Sequence, residues 1–292
     1  MRLSFLLCAF SLAFAWHPSS HAASTLKVLT YNVWGLPRPL SKDPVGRLEA
    51  FCAFLKKQSL QSAHPWDVVL LQEVWKPWMA RGLRYCGYPF SARLDKKSFG
   101  TGLMILSLHP VTSANQFNFE NEPSWWDSLT TGEAFSDKGV LSATIEHPDF
   151  GPIFFANTHL VANYGLYKTF EDERRGQFRE LAAHLYDRAR GIPQILGGDL
   201  NVAPYGLKYT LLWEELHFLF PGFRRFMSML PVSTRSLSNP FSNEEEGHID
   251  HLFGLNGAKP IKGSVVLDGR REIFSDHYGW ETSFEVEPLN LD

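Results

Sequence analysis

The sequence predicts an α/β protein in which helices cover the faces of β-sheets. Short apolar runs bounded by turn residues alternate with longer segments whose apolar residues recur every three or four positions. The 292 residues are 44% hydrophobic and 14% aromatic, a composition that supplies a large core and is unlike that of a disordered chain. This composition allows a globular protein of one domain or of two.

Helical spacing is clearest in two segments. The first starts at Asp43-Pro44, where Asp suits the N-cap and Pro the first helical position. Its expected apolar face is formed by Val45, Leu48, Cys52 and Leu55. The second covers residues 172–191, and its expected apolar face is formed by Phe178, Leu181, Leu185 and Ala189. The aromatic-rich residues 209–231 predict a further helix followed by a loop.

Short apolar runs predict strands that are buried in a sheet. They lie at residues 25–32, 66–75, 99–110, 138–147, 151–160 and 192–204. Two further strand-like segments lie at residues 247–253 and 272–280.

Polar side chains stand at or just after the ends of these separate strands: Asn32, Glu73, His159, Asp199 and Asn201. Asp250 and the pair Asp276-His277 come from the last two strand-like segments. Taken singly, each has an ordinary structural explanation, because Asn and Asp favour turns and a lone His is usually a satisfied polar group. Strand ends gather at one edge of a layered α/β protein, where ligands usually bind. The set therefore predicts a functional site.

These residue types indicate metal-assisted chemistry. Carboxylate and carboxamide oxygens are hard ligands that suit Mg²⁺, and histidines beside such a metal can move protons. The sequence has no Cys/His cluster with zinc spacing, no Gly-x-Ser-x-Gly and no Gly-x-x-x-x-Gly-Lys-Ser/Thr. The reaction that fits is the attack of water on a phosphate ester.

Six short motifs, in this order, resemble those of the endonuclease/exonuclease/phosphatase superfamily, which includes the DNase I-like enzymes. They are Tyr31-Asn32-Val33-Trp34-Gly35, Leu71-Gln72-Glu73, Thr158-His159-Leu160, Gly198-Asp199-Leu200-Asn201, Ile249-Asp250-His251 and Ser275-Asp276-His277. The resemblance runs from about Lys27 past His277. It implies a single catalytic domain over residues 23–292, folded as a four-layer α/β/β/α sandwich with two central, mostly antiparallel sheets.

The resemblance also implies a metal site. Glu73 would be the principal Mg²⁺ ligand, Asn32 would assist it, and Asp276 would support the metal shell. Mn²⁺ and Co²⁺ are alternatives to Mg²⁺.

The remaining motif residues would take part in proton transfer and phosphate binding. His277 would be the general base that activates water, oriented by Asp250. Asp199 and Asn201 would position the phosphate or the nucleophile, or hold a second metal. His159 would stabilise charge or protonate the leaving oxygen.

Two motifs indicate the substrate. Asn-Val-Trp-Gly-Leu-Pro from Asn32 and Lys-Gly from Lys138 resemble elements of neutral sphingomyelinases. The implied reaction is the hydrolysis of sphingomyelin to ceramide and phosphocholine. Lys138 would contact the lipid phosphate, and a surface lysine in a turn is the alternative. Rival functions are a secreted nuclease, a phosphoinositide phosphatase with Arg174-Arg175 or Arg270-Arg271 at its head-group site, and a non-catalytic lipid-binding factor.

The expected partner is a phospholipid in a membrane, contacted peripherally. Trp125 and Trp126 stand among polar residues, where they either insert into a bilayer interface or pack over a sheet edge. The net charge of -3 gives no overall basic field, so nucleic acid is not an expected partner. No obligate protein partner is implied.

The first residues are typical of a secretory signal peptide. Arg2 precedes a short apolar region at 3–15, and Ser20-His21-Ala22 fits a cleavage site, so we expect residues 1–22 to be removed from a secreted protein. Of the three cysteines, Cys52 and Cys86 would remain in the protein after residues 1–22 are removed. Either they pair, as export allows, or they are two buried free thiols.

Overall fold

The computed structural model describes residues 25–95, 100–131, 133, 136–164, 169–188, 191–204, 210–219, 221–222, 224–225, 232–242, 246–269 and 272–287. The expected signal peptide at 1–22 lies outside these ranges, as do Ala189, Arg270 and Arg271.

One sheet, here called sheet A, has the strand order β11-β12-β1-β2-β4-β3. Its strands are β1 (Thr25–Asn32), β2 (Val68–Gln72), β3 (Phe90–Ala92), β4 (Met104–Ser107), β11 (Ala258–Val266) and β12 (Gly279–Val286). Strands β1 and β2 are parallel, and the other pairings among these strands are antiparallel.

The second sheet, sheet B, has the order β5-β6-β7-β8-β10-β9. Its strands are β5 (Val111–Asn118), β6 (Gly139–His147), β7 (Gly151–His159), β8 (Gln194–Asp199), β9 (Arg224–Arg225) and β10 (Asp250–Leu255). Here β7 and β8 are the parallel pair and the other described pairings are antiparallel. The expectation of two mostly antiparallel sheets is confirmed.

Five helices are described: α1 (Pro44–Gln61), α2 (Pro77–Leu83), α3 (Trp125–Thr131), α4 (Glu171–Arg188) and α5 (Thr210–Leu219). Asp43 caps α1 by accepting a hydrogen bond from the Gly46 amide, and Pro44 takes the first turn as predicted. None of the helices in these ranges combines the length and the hydropathy that a bilayer span requires.

Three apolar layers hold the fold together. Side chains from both sheets, among them Val28, Leu70 and Phe155, form the central layer. A second layer lies between sheet A and helices α1 and α2, and a third between sheet B and α4. This is the predicted four-layer α/β/β/α sandwich.

Some details differ from the sequence predictions. Val45 is exposed, and the buried face of α1 consists of Leu48, Phe51 and Leu55 with Arg47 beside them. Strand β5 is not predicted, because it is an edge strand with a mostly polar, part-exposed sequence. No helix is predicted at Trp125 and Trp126, yet they begin helix α3.

A disulfide joins Cys52 of α1 to Cys86 after α2, with the two Cα atoms 4.9 Å apart. Of the two alternatives left open by the sequence, the structure has the paired one.

Candidate active site

Sheet B brings three of the predicted site residues into adjacent positions. Parallel pairing of β7 with β8 sets His159 opposite Asp199, and antiparallel pairing of β8 with β10 sets Asp250 opposite Asp199. Gly198 is required at this point, since a Cβ there would lie 1.9 Å from the Thr158 carbonyl oxygen. The Gly-Asp motif therefore serves close strand packing as well as chemistry.

Sheet A contributes Asn32 and Glu73 from its parallel pair. Asn32 ends β1 opposite Gln72, and Glu73 is the next residue after Gln72. Glu73 has a φ of 61°, and Trp34 and Asn201 have φ values of 50° and 51°, so three non-glycine residues at this edge are left-handed. Such backbone is costly and tends to occur where a site needs a particular geometry.

Asn32 connects the carboxylates of the two sheets. Its Nδ2 donates to Glu73 Oε1 at 3.0 Å and to Asp199 Oδ2 at 3.2 Å. Its Oδ1 accepts a hydrogen bond from the Trp34 amide at 2.9 Å. The arrangement shows Asn32 orienting two carboxylates, while its expected role as a direct metal ligand stays a prediction.

His277 and Asp250 form a buried pair. His277 Nδ1 lies 2.9 Å from Asp250 Oδ2, and His277 Nε2 lies 3.8 Å from Asp199 Oδ2. Burial opposes charge on the imidazole, but the charges of Asp250, Asp199 and Asp276 and the hydrogen bond that the ring donates to Asp250 raise the pKa of His277 to about 10. A cation beside this ring would lower that pKa again, as a general base requires.

His159 stands against a buried lysine. Lys138 Nζ lies 3.4 Å from His159 Nε2 and 3.2 Å from Glu133 Oε2. Lys138 itself is only 4% exposed. Burial, Lys138 and His277 hold the pKa of His159 well below its ordinary value, so the imidazole is neutral at physiological pH. Lys138 thus belongs to the site, and the surface alternative is wrong.

Asp276 and Asn201 lie at the margin of the site. Asp276 Oδ1 accepts from Ser275 Oγ at 3.1 Å, and its charge raises the pKa of the adjacent His277. The Asn201 amide donates to Asp199 Oδ1 at 3.0 Å, and its Nδ2 donates to the Leu160 carbonyl at 2.9 Å. Asn201 therefore positions Asp199.

The donor set fits a hard divalent cation. Burial raises the pKa of Glu73, opposed by the hydrogen bond from Asn32 and by the charge of Lys138. Burial and the charge of Asp250 raise the pKa of Asp199 to about 6. The raised pKa values show that the nearby positive charges do not fully offset the burial of these carboxylates, and an oxygen-binding cation such as Mg²⁺ would supply further positive charge. Asp199, Asp250 and His277 also lie within metal-sharing distance of one another.

Three residues at the site were missed from the sequence. Trp75 Nε1 donates to Glu73 Oε2 at 3.3 Å, and Glu133 pairs with Lys138. Arg47 donates to the carbonyls of Val33 and Trp34, which belong to the motif of Asn32, and to the carbonyl of Phe274, which precedes the motif of His277. A signal existed only for Trp75, which follows Glu73 by two residues; the other two contacts depend on tertiary packing.

Trp125 and Trp126 are 63% and 70% exposed, and their ring centroids lie 4.6 Å apart. Packing over a sheet edge is therefore wrong for both. Their helix ends at Thr131, two residues before Glu133, so they share a segment with the partner of Lys138.

Known proteins resemble this chain in sequence. It is 32% identical over 202 residues to "Inositol phosphosphingolipids phospholipase C" of Schizosaccharomyces pombe, covering 66% of this chain and 45% of that protein. It is 28% identical over 230 residues to human "Sphingomyelin phosphodiesterase 2", covering 76% of this chain and 52% of that protein. The chain thus spans about half the length of these relatives.

A solved structure has the same fold. The crystal structure of a mutant beta toxin from Staphylococcus aureus with bound magnesium ions has a TM-score of 0.67 and is 16% identical to this chain, and the match covers 90% of this chain and 100% of that one. The sequence profile described as "Endonuclease/Exonuclease/phosphatase family" matches residues 29–277, which include every motif that forms the site. The chain therefore belongs to the endonuclease/exonuclease/phosphatase family.

Proposed function

We propose that this protein is a secreted, Mg²⁺-dependent phosphodiesterase that hydrolyses sphingomyelin to ceramide and phosphocholine. The observation that carries the proposal is the buried His277–Asp250 pair facing Asp199, with Glu73 held to Asp199 through Asn32. Attack of water on a phosphodiester requires a base and a cation-binding carboxylate, for which His277 and Glu73 are the candidates. It also benefits from a neutral imidazole near the leaving oxygen, for which His159 is the candidate. The relatives named for sphingolipid phosphodiesterases support this substrate class.

Glu73 would be the main metal ligand, oriented by its hydrogen bonds from Asn32 and Trp75. Asp276 would support the set of metal ligands. When bound, Mg²⁺ or its substitutes Mn²⁺ and Co²⁺ would polarise the phosphoryl oxygen and stabilise its developing charge. The fold neighbour with bound magnesium ions supports Mg²⁺ as the first choice.

His277 would take a proton from water on Nε2, because Asp250 holds Nδ1. The water oxygen forms a bond to phosphorus as the bond from phosphorus to the ceramide oxygen breaks. His159 is neutral, so it would stabilise the leaving oxygen by hydrogen bonding, with the Lys138 ammonium as the nearby positive charge and proton source. Asp199 and Asn201 would keep the phosphate in line.

The choice of head group rests on the arginines. Arg174 is fully buried and donates to the Val161 carbonyl, and Arg175 pairs with Glu215. These contacts occupy one of the two arginine pairs considered for an inositol phosphate subsite, which counts against a phosphoinositide; the other pair, Arg270-Arg271, lies outside the described residues. An inositol phosphosphingolipid is the second candidate, because a relative at 32% identity carries that name.

Contact with the membrane would be peripheral and made by helix α3. Trp125, Trp126 and Leu129 are exposed apolar side chains on one short helix beside the Glu133–Lys138 pair. Amphipathic tryptophans at this place suit the bilayer interface. The proposed export of the protein rests on residues 1–22 and fits the Cys52–Cys86 disulfide.

In the test, purified protein is incubated with Mg²⁺ and with each of four substrates in parallel. The substrates are sphingomyelin liposomes, inositol phosphosphingolipid vesicles, phosphoinositide vesicles and plasmid DNA. EDTA and His277→Ala are the negative controls, and His64→Ala, an exposed histidine, is the matched control. Release of phosphocholine that EDTA and His277→Ala abolish, and His64→Ala does not, would support the proposal. Hydrolysis of another substrate in place of sphingomyelin would overturn the substrate while keeping the site.

A further inference from the structure

A second cluster of metal-ligating side chains lies at the opposite end of the sandwich from the candidate active site. Asp67 directly precedes β2 and Glu73 directly follows it, which separates them by about 20 Å at roughly 3.3 Å per strand residue. His109 follows β4, whose Ser107 pairs with Val68, so it lies at the Asp67 end. His147 ends β6, which Lys138 precedes.

The three side chains converge on one point. Asp67 Oδ1 lies 3.1 Å from His109 Nε2 and 3.9 Å from His147 Nε2, and the two imidazole centroids are 4.3 Å apart. One ligand atom from each residue lies within 4.8 Å of the others. Their side chains are between 7% and 18% exposed, so the cluster is largely shielded yet reachable from solvent.

We propose that Asp67, His109 and His147 bind a zinc ion. Two imidazoles and one carboxylate are a donor set of tetrahedral zinc sites that leave the fourth position to water. Imidazole nitrogen favours Zn²⁺ over Mg²⁺, so the two ends of the sandwich would take different metals.

Neighbouring groups hold the carboxylate and one ring in place. The Lys27 amide donates to Asp67 Oδ2 at 2.7 Å, which leaves Oδ1 facing the imidazoles. The His147 ring stacks on Phe150 with centroids 4.5 Å apart. Outer contacts of this kind orient metal ligands and add to affinity.

Binding has a proton cost at His147. Its Nδ1 accepts a hydrogen bond from the Asp149 amide at 3.1 Å, which places the ring proton on Nε2, toward Asp67. A neutral zinc-bound imidazole carries its proton on the other nitrogen, so the proton has to move to Nδ1 and the Asp149 amide has to turn away. Asp149 lies in an exposed turn, where that movement is open to it. The affinity is therefore lower than that of a site whose ligand nitrogens are already free of protons.

The zinc ion would link the two sheets. Asp67 and His109 come from segments flanking strands of sheet A, whereas His147 belongs to sheet B. An ion that binds the folded state alone stabilises it by mass action. Zinc would thus stabilise the packing of the two sheets at the end of the sandwich opposite the candidate active site.

The test uses the full chain carrying Glu73→Ala and His277→Ala, in excess Mg²⁺, so that zinc binding at the candidate active site does not contribute to the signal. Calorimetric titration with ZnCl₂ should give one ion per chain and a raised melting temperature. In this background His109→Ala and His147→Ala should each weaken binding at least tenfold and remove the rise in melting temperature. His64→Ala should change neither.

Titration with Co²⁺ gives a second readout, because tetrahedral cobalt with nitrogen ligands absorbs strongly in the visible range. Such a band in the parent and its loss in His147→Ala, with unchanged circular dichroism, would support the site. Absence of Zn²⁺ binding, or binding that survives both histidine variants, would overturn it. Neither result depends on the proposed phosphodiesterase activity.

Discussion

His277 Nδ1 lies 2.9 Å from Asp250 Oδ2, and both side chains are buried. The carboxylate fixes the ring so that Nε2 faces Asp199, 3.8 Å from its Oδ2 atom. It also supplies the negative charge that an imidazolium needs in a buried site. Asp250 therefore orients the proposed base and stabilises its protonated form.

Asp250→Asn should lower kcat by roughly 10²- to 10⁴-fold with little change in KM, because a carboxamide keeps the shape but not the charge. Steady-state kinetics on sphingomyelin liposomes measures both constants. Activity within a factor of three of the parent would contradict the role of Asp250. Circular dichroism separates this effect from loss of the fold.

The stability of the metal-free protein should depend on His277 above neutral pH. Its pKa is about 10 in the folded state and about 6.5 in an unfolded chain. A raised folded pKa contributes stability that is fully present below about pH 6.5 and is lost as the pH rises through about 10. Urea unfolding in EDTA at several pH values should show a larger fall in the free energy of unfolding for the parent than for His277→Gln. Equal slopes in the two proteins would show that His277 does not titrate in this way.

Trp125→Ala with Trp126→Ala should reduce turnover of sphingomyelin in liposomes at least tenfold, since the exposed rings would no longer enter the bilayer interface. Turnover of a monomeric, short-chain substrate should stay the same. Vesicle sedimentation measures binding directly. Tyr85→Ala is the matched control, because it removes another exposed aromatic ring, two residues after the end of α2. An equal loss on both substrates would place the tryptophans in the chemistry instead of the membrane contact.

Arg47→Lys should lower both stability and kcat. The guanidinium bonds the carbonyls of Val33, Trp34 and Phe274, and a single ammonium group cannot reach all three. Leaving buried carbonyls without donors costs about 2–4 kcal/mol in the free energy of unfolding. Chemical denaturation checks the stability and kinetics checks kcat. Arg38→Lys, at an exposed arginine that pairs with Asp43, should change neither; unchanged properties in Arg47→Lys would refute the prediction.

Reducing the Cys52–Cys86 disulfide should destabilise the protein by about 2–4 kcal/mol, because the bond closes a long loop of the unfolded chain. Urea unfolding with and without a reductant measures the difference. The double variant Cys52→Ser, Cys86→Ser should match the reduced protein and should not respond to reductant. A response in the double variant would assign the effect to another cause.

The sequence alone determined the elements whose burial leaves a periodic pattern. Apolar runs predicted β2, β6, β7 and β8, and the cap at Asp43 predicted the start of α1. Edge strand β5 has part-exposed faces and no apolar run, so it left no comparable signal. The motifs at strand ends were readable for the same reason, because a polar side chain after a buried strand stands out locally.

Only the tertiary structure decided which of these side chains meet. Asn32 and Asp199 are 167 positions apart, and their hydrogen bond exists because two sheets pack with these strand ends at one edge. Packing also buries Lys138 beside His159 and brings Asp67, His109 and His147 together at the far end. Local sequence sets the conformation and polarity of each segment, but contacts between distant segments depend on the pairing and packing of whole sheets.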